Sequence, residues 1–354
     1  MRTALTSTLA LFALLTLAPQ ASATYDPIGS GAARLTLEKG FLSFLAKHKV
    51  KLSATKPAKL AAKTATFPAS GGEVDPTIGK GTIELEGGLK LQSAGKHLPL
   101  NHLMVKTKRT PLFAKVGGGQ LKIASASKLS FARQGFGSRF TAQKLKLTAK
   151  LAERLNKRLD LKGTFTEGQP LGTLISRTDP ATATVLAANK ATLVLDPETL
   201  AKLNALFVSV NPIFPAEHTG STFSFPIVVG GAIAPNASAG TLRTGGDLEL
   251  LQLGGGQIFQ HEFWLDLGAK SDSAEVNVQP SPPYPGKEGR IGVLDLGAAT
   301  VSSDPRARTI TVSGAPLTLQ AQTAAGFDEA FAAGKEVFRA GEAFGTLSFT
   351  AQTQ

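Results

Sequence analysis

The chain has 354 residues, no cysteine, 6% aromatic residues and a formal net charge of +12. The absence of cysteine excludes disulfides, thiolate metal sites, thiol nucleophiles and a lipid-bearing N-terminal Cys. Two Tyr and one Trp are too few for the stacking platform that single-stranded nucleic acid requires, so nucleic acid is not an expected partner.

In chain order, residues 1–23 carry Arg2, an apolar core from Leu9 to Leu17 and an Ala21-Ser22-Ala23 ending. This is the pattern of a secretory signal peptide cleaved near Ala23. No later apolar run is long enough to span a bilayer, so the mature chain is expected to be secreted or at the cell surface, without a transmembrane span. After a short segment, 24–32, a first domain is read over 33–176. A strand at Ala33–Leu37 leads into a short helix from Glu38 to His48, striped by Phe41, Leu42 and Leu45. Period-two alternation then marks strands at Thr82–Glu86, Leu89–Leu91, Leu103–Lys106, Gln120–Ile123 and Lys144–Leu147, with Gly71-Gly72, Gly87-Gly88 and Gly117-Gly118-Gly119 as breaks. A second helix, Ala149 to Leu159, places Leu151, Leu155 and Leu159 on one face.

Residues 177–190 lack periodicity and read as a linker, and a second domain follows over 191–354. It opens on Ala191–Leu195, then on Asp196-Pro197-Glu198, a helix start with an N-cap, a proline at the first position and an acid in the first turn. Strands are expected at Leu248–Leu250, Phe263–Leu267, Ile291–Leu296 and Leu317–Leu319, a helix face at Phe327 and Phe331, and a proline-rich loop around Tyr284.

The second domain repeats the first. Ala33-Arg34-Leu35-Thr36-Leu37 returns as Ala191-Thr192-Leu193-Val194-Leu195, and Phe67-Pro68 as Phe225-Pro226, each 158 positions on. Gly71–Leu91 then matches Gly230–Leu250 at 8 of 21 positions, and Phe165-x-x-Gly168-x-x-x-Gly172-Thr173-Leu174 recurs as Phe338-x-x-Gly341-x-x-x-Gly345-Thr346-Leu347. A unit this long is a domain and not a solenoid repeat. The expected fold is therefore all-β: two tandem homologous β-sandwich-like domains, each with one or two short helices. Charge is not shared. Residues 24–180 hold 27 Lys and Arg against 10 Asp and Glu, while 181–354 hold 10 against 16. The basic field of the first copy points to an anionic cell-envelope component or an anionic small ligand as partner.

Catalytic signatures fail. His261-Glu262 lacks a second His four residues on, the run ending Gly79-Lys80 has Val74 in place of the first phosphate-loop glycine, and no Gly-x-Ser-x-Gly elbow occurs. No enzymatic activity is expected, and hydrolysis stands last among the alternatives. His97 and His102, five apart on one strand, should point to opposite faces unless the strand bulges.

The order of motifs, from opening strand and amphipathic helix through Phe-Pro and the Gly-Gly-Leu strand pair to the closing Phe-x-x-Gly-x-x-x-Gly-Thr-Leu, resembles the HtaA domain. That family occurs, often in tandem, in secreted and surface proteins of actinobacteria, and some members bind haem. The resemblance covers 33–176 and 191–349 and implies a β-rich secreted module. Haem-binding members look to use a tyrosine where this chain has Phe41-Leu42-Ser43-Phe44 and Leu200-Ala201-Lys202-Leu203. They carry a histidine where it has Gly88-Leu89-Lys90 and Asp247-Leu248-Glu249. Phe and Leu cannot ligate iron, so no cofactor is expected. Haem is the alternative ligand, held if at all at a displaced site by His97, His102 or Tyr284. The leading expectation is a secreted binding module that associates with an envelope or surface component.

Overall fold

Alternation of apolar and polar residues governs most of the chain, and each alternating run forms an antiparallel strand whose apolar side chains turn to one interior. In the computed structural model the described residues are 25–108, 112–116, 118–188, 190–279 and 287–354. The signal-peptide reading and Tyr284 lie outside them. The first half comprises β1 (Asp26–Leu37), α1 (Lys39–Lys47), β2 (Lys51–Thr55), β3 (Lys59–Ala61), β4 (Thr64–Val74), β5 (Gly81–Ser93), β6 (Lys96–Lys106), β7 (Leu112–Val116), β8 (Gly119–Ser125), β9 (Lys128–Gln134), β10 (Gly137–Leu147), α2 (Ala149–Leu159) and β11 (Pro170–Pro180). The second comprises β12 (Ala183–Ala188), β13 (Ala191–Leu195), α3 (Pro197–Ala205), β14 (Val208–Ile213), β15 (Glu217–Thr219), β16 (Thr222–Phe225), β17 (Ile227–Ile233), β18 (Gly240–Thr244), β19 (Asp247–Gln252), β20 (Gln257–Asp266), β21 (Ser271–Gln279), β22 (Lys287–Leu296), β23 (Thr300–Asp304), β24 (Thr309–Leu319), α4 (Ala321–Phe331) and β25 (Ala343–Thr353).

The fold is all-β and duplicated, as expected, and its layers are joined. In the first half β1, β4, β5, β6, β7, β8, β10 and β11 pair in that order, and β11 pairs back onto β1. The sheet thus closes into an eight-stranded barrel, a size whose interior side chains can fill. The second half closes the same way through β12, β17, β18, β20, β21, β22, β24 and β25. There β1 is matched by two strands, β12 and β13, β4 by β16 and β17, broken at Pro226, and β5 by β18 and β19, broken at Gly245-Gly246. Apolar side chains face inward and most lysines outward, the reverse of a membrane-spanning barrel. Among the described residues no helix is long and apolar enough to cross a membrane.

Two of the glycine pairs expected as breaks lie inside strands. Gly71-Gly72 belongs to β4, and Gly87-Gly88 forms a bulge within β5, where the register slips between Leu85 and Gly88. Gly87 has φ 75°, and a Cβ there would lie 2.5 Å from the Thr55 carbonyl oxygen; Gly246, its counterpart, has φ 83° and would meet the Ala216 nitrogen at 2.3 Å. Both positions receive a loop that holds a cis proline, Pro57 or Pro215. Only glycine fits this doubled lock.

At two interior positions the second barrel is polar where the first is apolar. Leu85 and Leu112 of the first barrel correspond, through strand pairing, to Thr244 and Asp272 of the second. Asp272 is 3% exposed, and among the described residues its Oδ1 and the Thr244 Oγ1 have no hydrogen-bond partner.

The segment 177–190 is not free chain. Residues 177–180 continue β11, and β12 starts after Ala181-Thr182. The barrels then meet along a polar seam. Asp26 accepts hydrogen bonds from the Thr184 amide (3.0 Å) and hydroxyl (2.9 Å), and the Gln354 side chain donates to Thr77 Oγ1 (3.2 Å). Phe136, in the β9–β10 turn of the first barrel, is 7% exposed and belongs to the hydrophobic cluster of the second.

Candidate functional site

Along β1, β10 and β11 the inward residues Ala33, Leu35, Phe140, Leu174 and Ser176 are buried, which forces Arg34, Arg139 and Arg177 outward. Strand pairing then gathers them. Arg139 stands directly opposite Arg177, and Arg34 is two positions from the residue opposite Arg177, Ala32. Cβ atoms of directly opposed residues lie about 5 Å apart and diagonal neighbours about 7–8 Å apart. Arg34 and Arg177 line a cleft of about 530 Å³ floored by Gly31, Ala32, Thr36 and Thr64, with Asp179 at one end, and Arg139 flanks it. The small floor lets long guanidinium arms converge on a ligand.

Among the described residues none of the three arginines makes a side-chain hydrogen bond or an ion pair. Like charges opposed across a sheet are destabilising, and a guanidinium fork matches carboxylate or phosphate oxygens two at a time. The arrangement is suited to an anion. In the second barrel the same three positions are Thr192, Thr311 and Thr350, with the latter two hydroxyls hydrogen-bonded at 3.0 Å. The basic cleft therefore belongs to the first copy.

His97 and His102 are both exposed on the outside of β6. They do not stand on opposite faces, because β6 bulges: the register with β7 shifts between Asn101 and Met104, and His102 has φ 47°. Five residues of strand still separate them by about 17 Å, so they cannot share one ligand. His102 borders a cleft of about 260 Å³ with Ser70, Glu84, Met104, Lys115 and Gln120. Its counterpart in the second copy is filled. There Trp264 stacks between Arg243 and Arg290, whose Cζ atoms lie 5.1 and 4.2 Å from the ring, and Glu262 pairs with both at 3.2 and 3.6 Å.

Among the described residues no group of three or more His, Asp or Glu could hold a metal ion. Within the stretches where the resemblance places haem ligands, Phe41 and Leu89 are buried core residues. Sequence reasoning did not single out Arg34, Arg139 or Arg177. One signal was present, the exchange of Arg34 for Thr192 inside an aligned stretch, but the other two join it only through strand register.

Fold and site together define a tandem of two duplicated barrels with an anion-suited cleft on the first. No protein-family model and no curated protein matches the chain. Among solved structures it is similar to the C-terminal domain of HtaA from Corynebacterium glutamicum, at 17% identity over 49% of this chain and 99% of that one, with a TM-score of 0.38. It is also similar to the N-terminal domain of HtaA from that organism, at 16% identity over 48% of this chain and 99% of that one, with a TM-score of 0.36. These are domains of the family that the motif order resembles.

Proposed function

We propose that this chain is a non-enzymatic binding module that works outside the cytoplasmic membrane and holds an anionic envelope component on its first barrel. The observation that carries this reading is the cleft of Arg34, Arg139 and Arg177, unpaired in the first copy and replaced by threonines in the second. The excess of Lys and Arg over Asp and Glu in the first copy, 27 against 10, raises the local concentration of anions, and the arginines supply the directed contacts.

The test exchanges Arg34, Arg139 and Arg177 for threonine, residues the second barrel already tolerates at these places. Sedimentation with anionic vesicles, zwitterionic vesicles and isolated cell wall reads the outcome. Binding of the parent chain should weaken as salt rises, and the triple variant should lose most of it. Equal binding by parent and variant, or indifference to salt, would sink the assignment. Haemin added to both proteins tests the alternative ligand: a Soret band shifted equally in parent and variant would favour haem at another site.

A further inference from the structure

We infer that the second barrel carries a separate binding site for a small neutral amphiphile, in the cleft between α4 and strands β20 to β22. This cleft has a volume of about 430 Å³ and is walled by Ile258, Val276, Val278, Ile291, Val293 and Phe327. Ligand sites of small molecules fall in this size range and combine an apolar wall with few polar groups.

The first barrel shows how the cleft arises. There α2 packs on both β6 and β8, whereas α4 packs on β22. Matching β6 to β20 at the bulge residues His102 and Glu262 aligns Leu100 with Gln260; matching the helices at their caps, Thr148 and Gln320, aligns Leu151 with Thr323. Two leucines that seal the first helix against its barrel are thus a glutamine and a threonine in the second.

Two further features have no structural cause. Gln260 is 2% exposed and lines the cleft, and no hydrogen bond to another described residue holds its amide. The residue as a whole is buried but its amide is not sealed off, so what surface the amide keeps opens into a mostly apolar cleft, where a ligand group can bond to it. Gly326 sits within α4, where glycine destabilises a helix relative to alanine, yet a Cβ there would meet nothing within 4 Å. What the missing side chain does is leave the cleft open. Thr323 donates to the Val293 carbonyl at 2.9 Å and Gln322 to the Gly292 carbonyl at 2.6 Å, so Gln260 is the neutral side chain left free to orient a ligand.

Charge sets the ligand class. Among the described residues that line the cleft Glu329 is the charged one, and no lysine or arginine joins it there. An anion is disfavoured, and an apolar ring or chain with one neutral hydrogen-bonding group fits. The site is therefore distinct in place and in chemistry from the arginine cleft.

The probe is N-phenyl-1-naphthylamine, a neutral amine that fluoresces when removed from water, titrated into the full chain. Saturable enhancement at one probe per chain is expected. Gln260→Leu, which installs the first barrel's residue, should weaken binding up to about tenfold, the value of one neutral hydrogen bond. Gly326→Leu should fill the cleft and abolish binding while the melting temperature holds or rises. The arginine-to-threonine triple variant should bind the probe as the parent does. Octanol should displace the probe and octanoate should not. No saturable binding, binding unchanged in both cleft variants, or displacement by octanoate as good as by octanol would overturn the proposal.

Discussion

Asp272 occupies an interior position that the first barrel gives to Leu112. Burial pushes its carboxyl well above the ordinary value of 3.8, against the smaller opposing effects of a hydrogen bond from the Ser273 backbone and the charge of Arg290. The folded state then holds a proton that the unfolded chain releases at about pH 4. Stability should therefore be fully retained below that pH and fall as pH rises toward the folded-state value. Asp272→Leu should remove this slope and raise stability at neutral pH by on the order of 1–3 kcal/mol; urea unfolding of both proteins at pH 4 and pH 7 checks it. A parent chain equally stable at the two values would contradict the argument. Asp272 was not legible as an interior residue, because its counterpart is found only once Met104 is seen opposite Phe113 and Trp264 opposite Ser273. Arg34 was half legible, since its exchange for Thr192 lies in the best-aligned stretch, though the arginines it joins are over 100 residues away.

At the level of elements, helices were read well because their signals are local. The sequence expectation of Ala149 to Leu159 is the helix observed, and Asp196-Pro197-Glu198 opens α3 as capping chemistry requires. Asp196 accepts from the amides of Glu198 (2.9 Å) and Thr199 (3.2 Å), whereas Glu38 at the start of α1 makes no such bond. Asp196→Ala should cost about 1 kcal/mol, readable as a fall in the urea midpoint, and Glu38→Ala much less. Equal losses from the two changes would remove the cap from the account. Strand bulges were not legible, because an extra residue is defined by the strand opposite. The Gly87-Gly88 pair therefore reads as a turn in one dimension and proves to be a kink within β5. Barrel closure was hidden for the same reason: alternation reports that one face is buried, not that the sheet curls until its first and last strands meet.

For the whole molecule the seam decides whether the barrels act as one body. Burial raises the Asp26 carboxyl, partly offset by its hydrogen bonds from Thr184 and by the charge of Arg133. Phe136 supplies the apolar contact by entering the second barrel's cluster. Phe136→Ala should cost about 3–5 kcal/mol at the seam and split a single calorimetric transition into two, one per barrel. A single transition shifted without splitting would mean that the polar contacts alone couple the halves. Ring closure has a further consequence, in time. Leu35 pairs with Leu174 and Val185 with Thr353, so each ring is completed by contacts about 140–170 residues apart along the chain. Such distant pairings make folding slow, and until they form, each open ring shows two unpaired strand flanks that invite pairing with another molecule. The first half, with 27 Lys and Arg against 10 Asp and Glu, meets that hazard as a strongly charged chain, and mutual repulsion holds half-made copies apart while the ring closes.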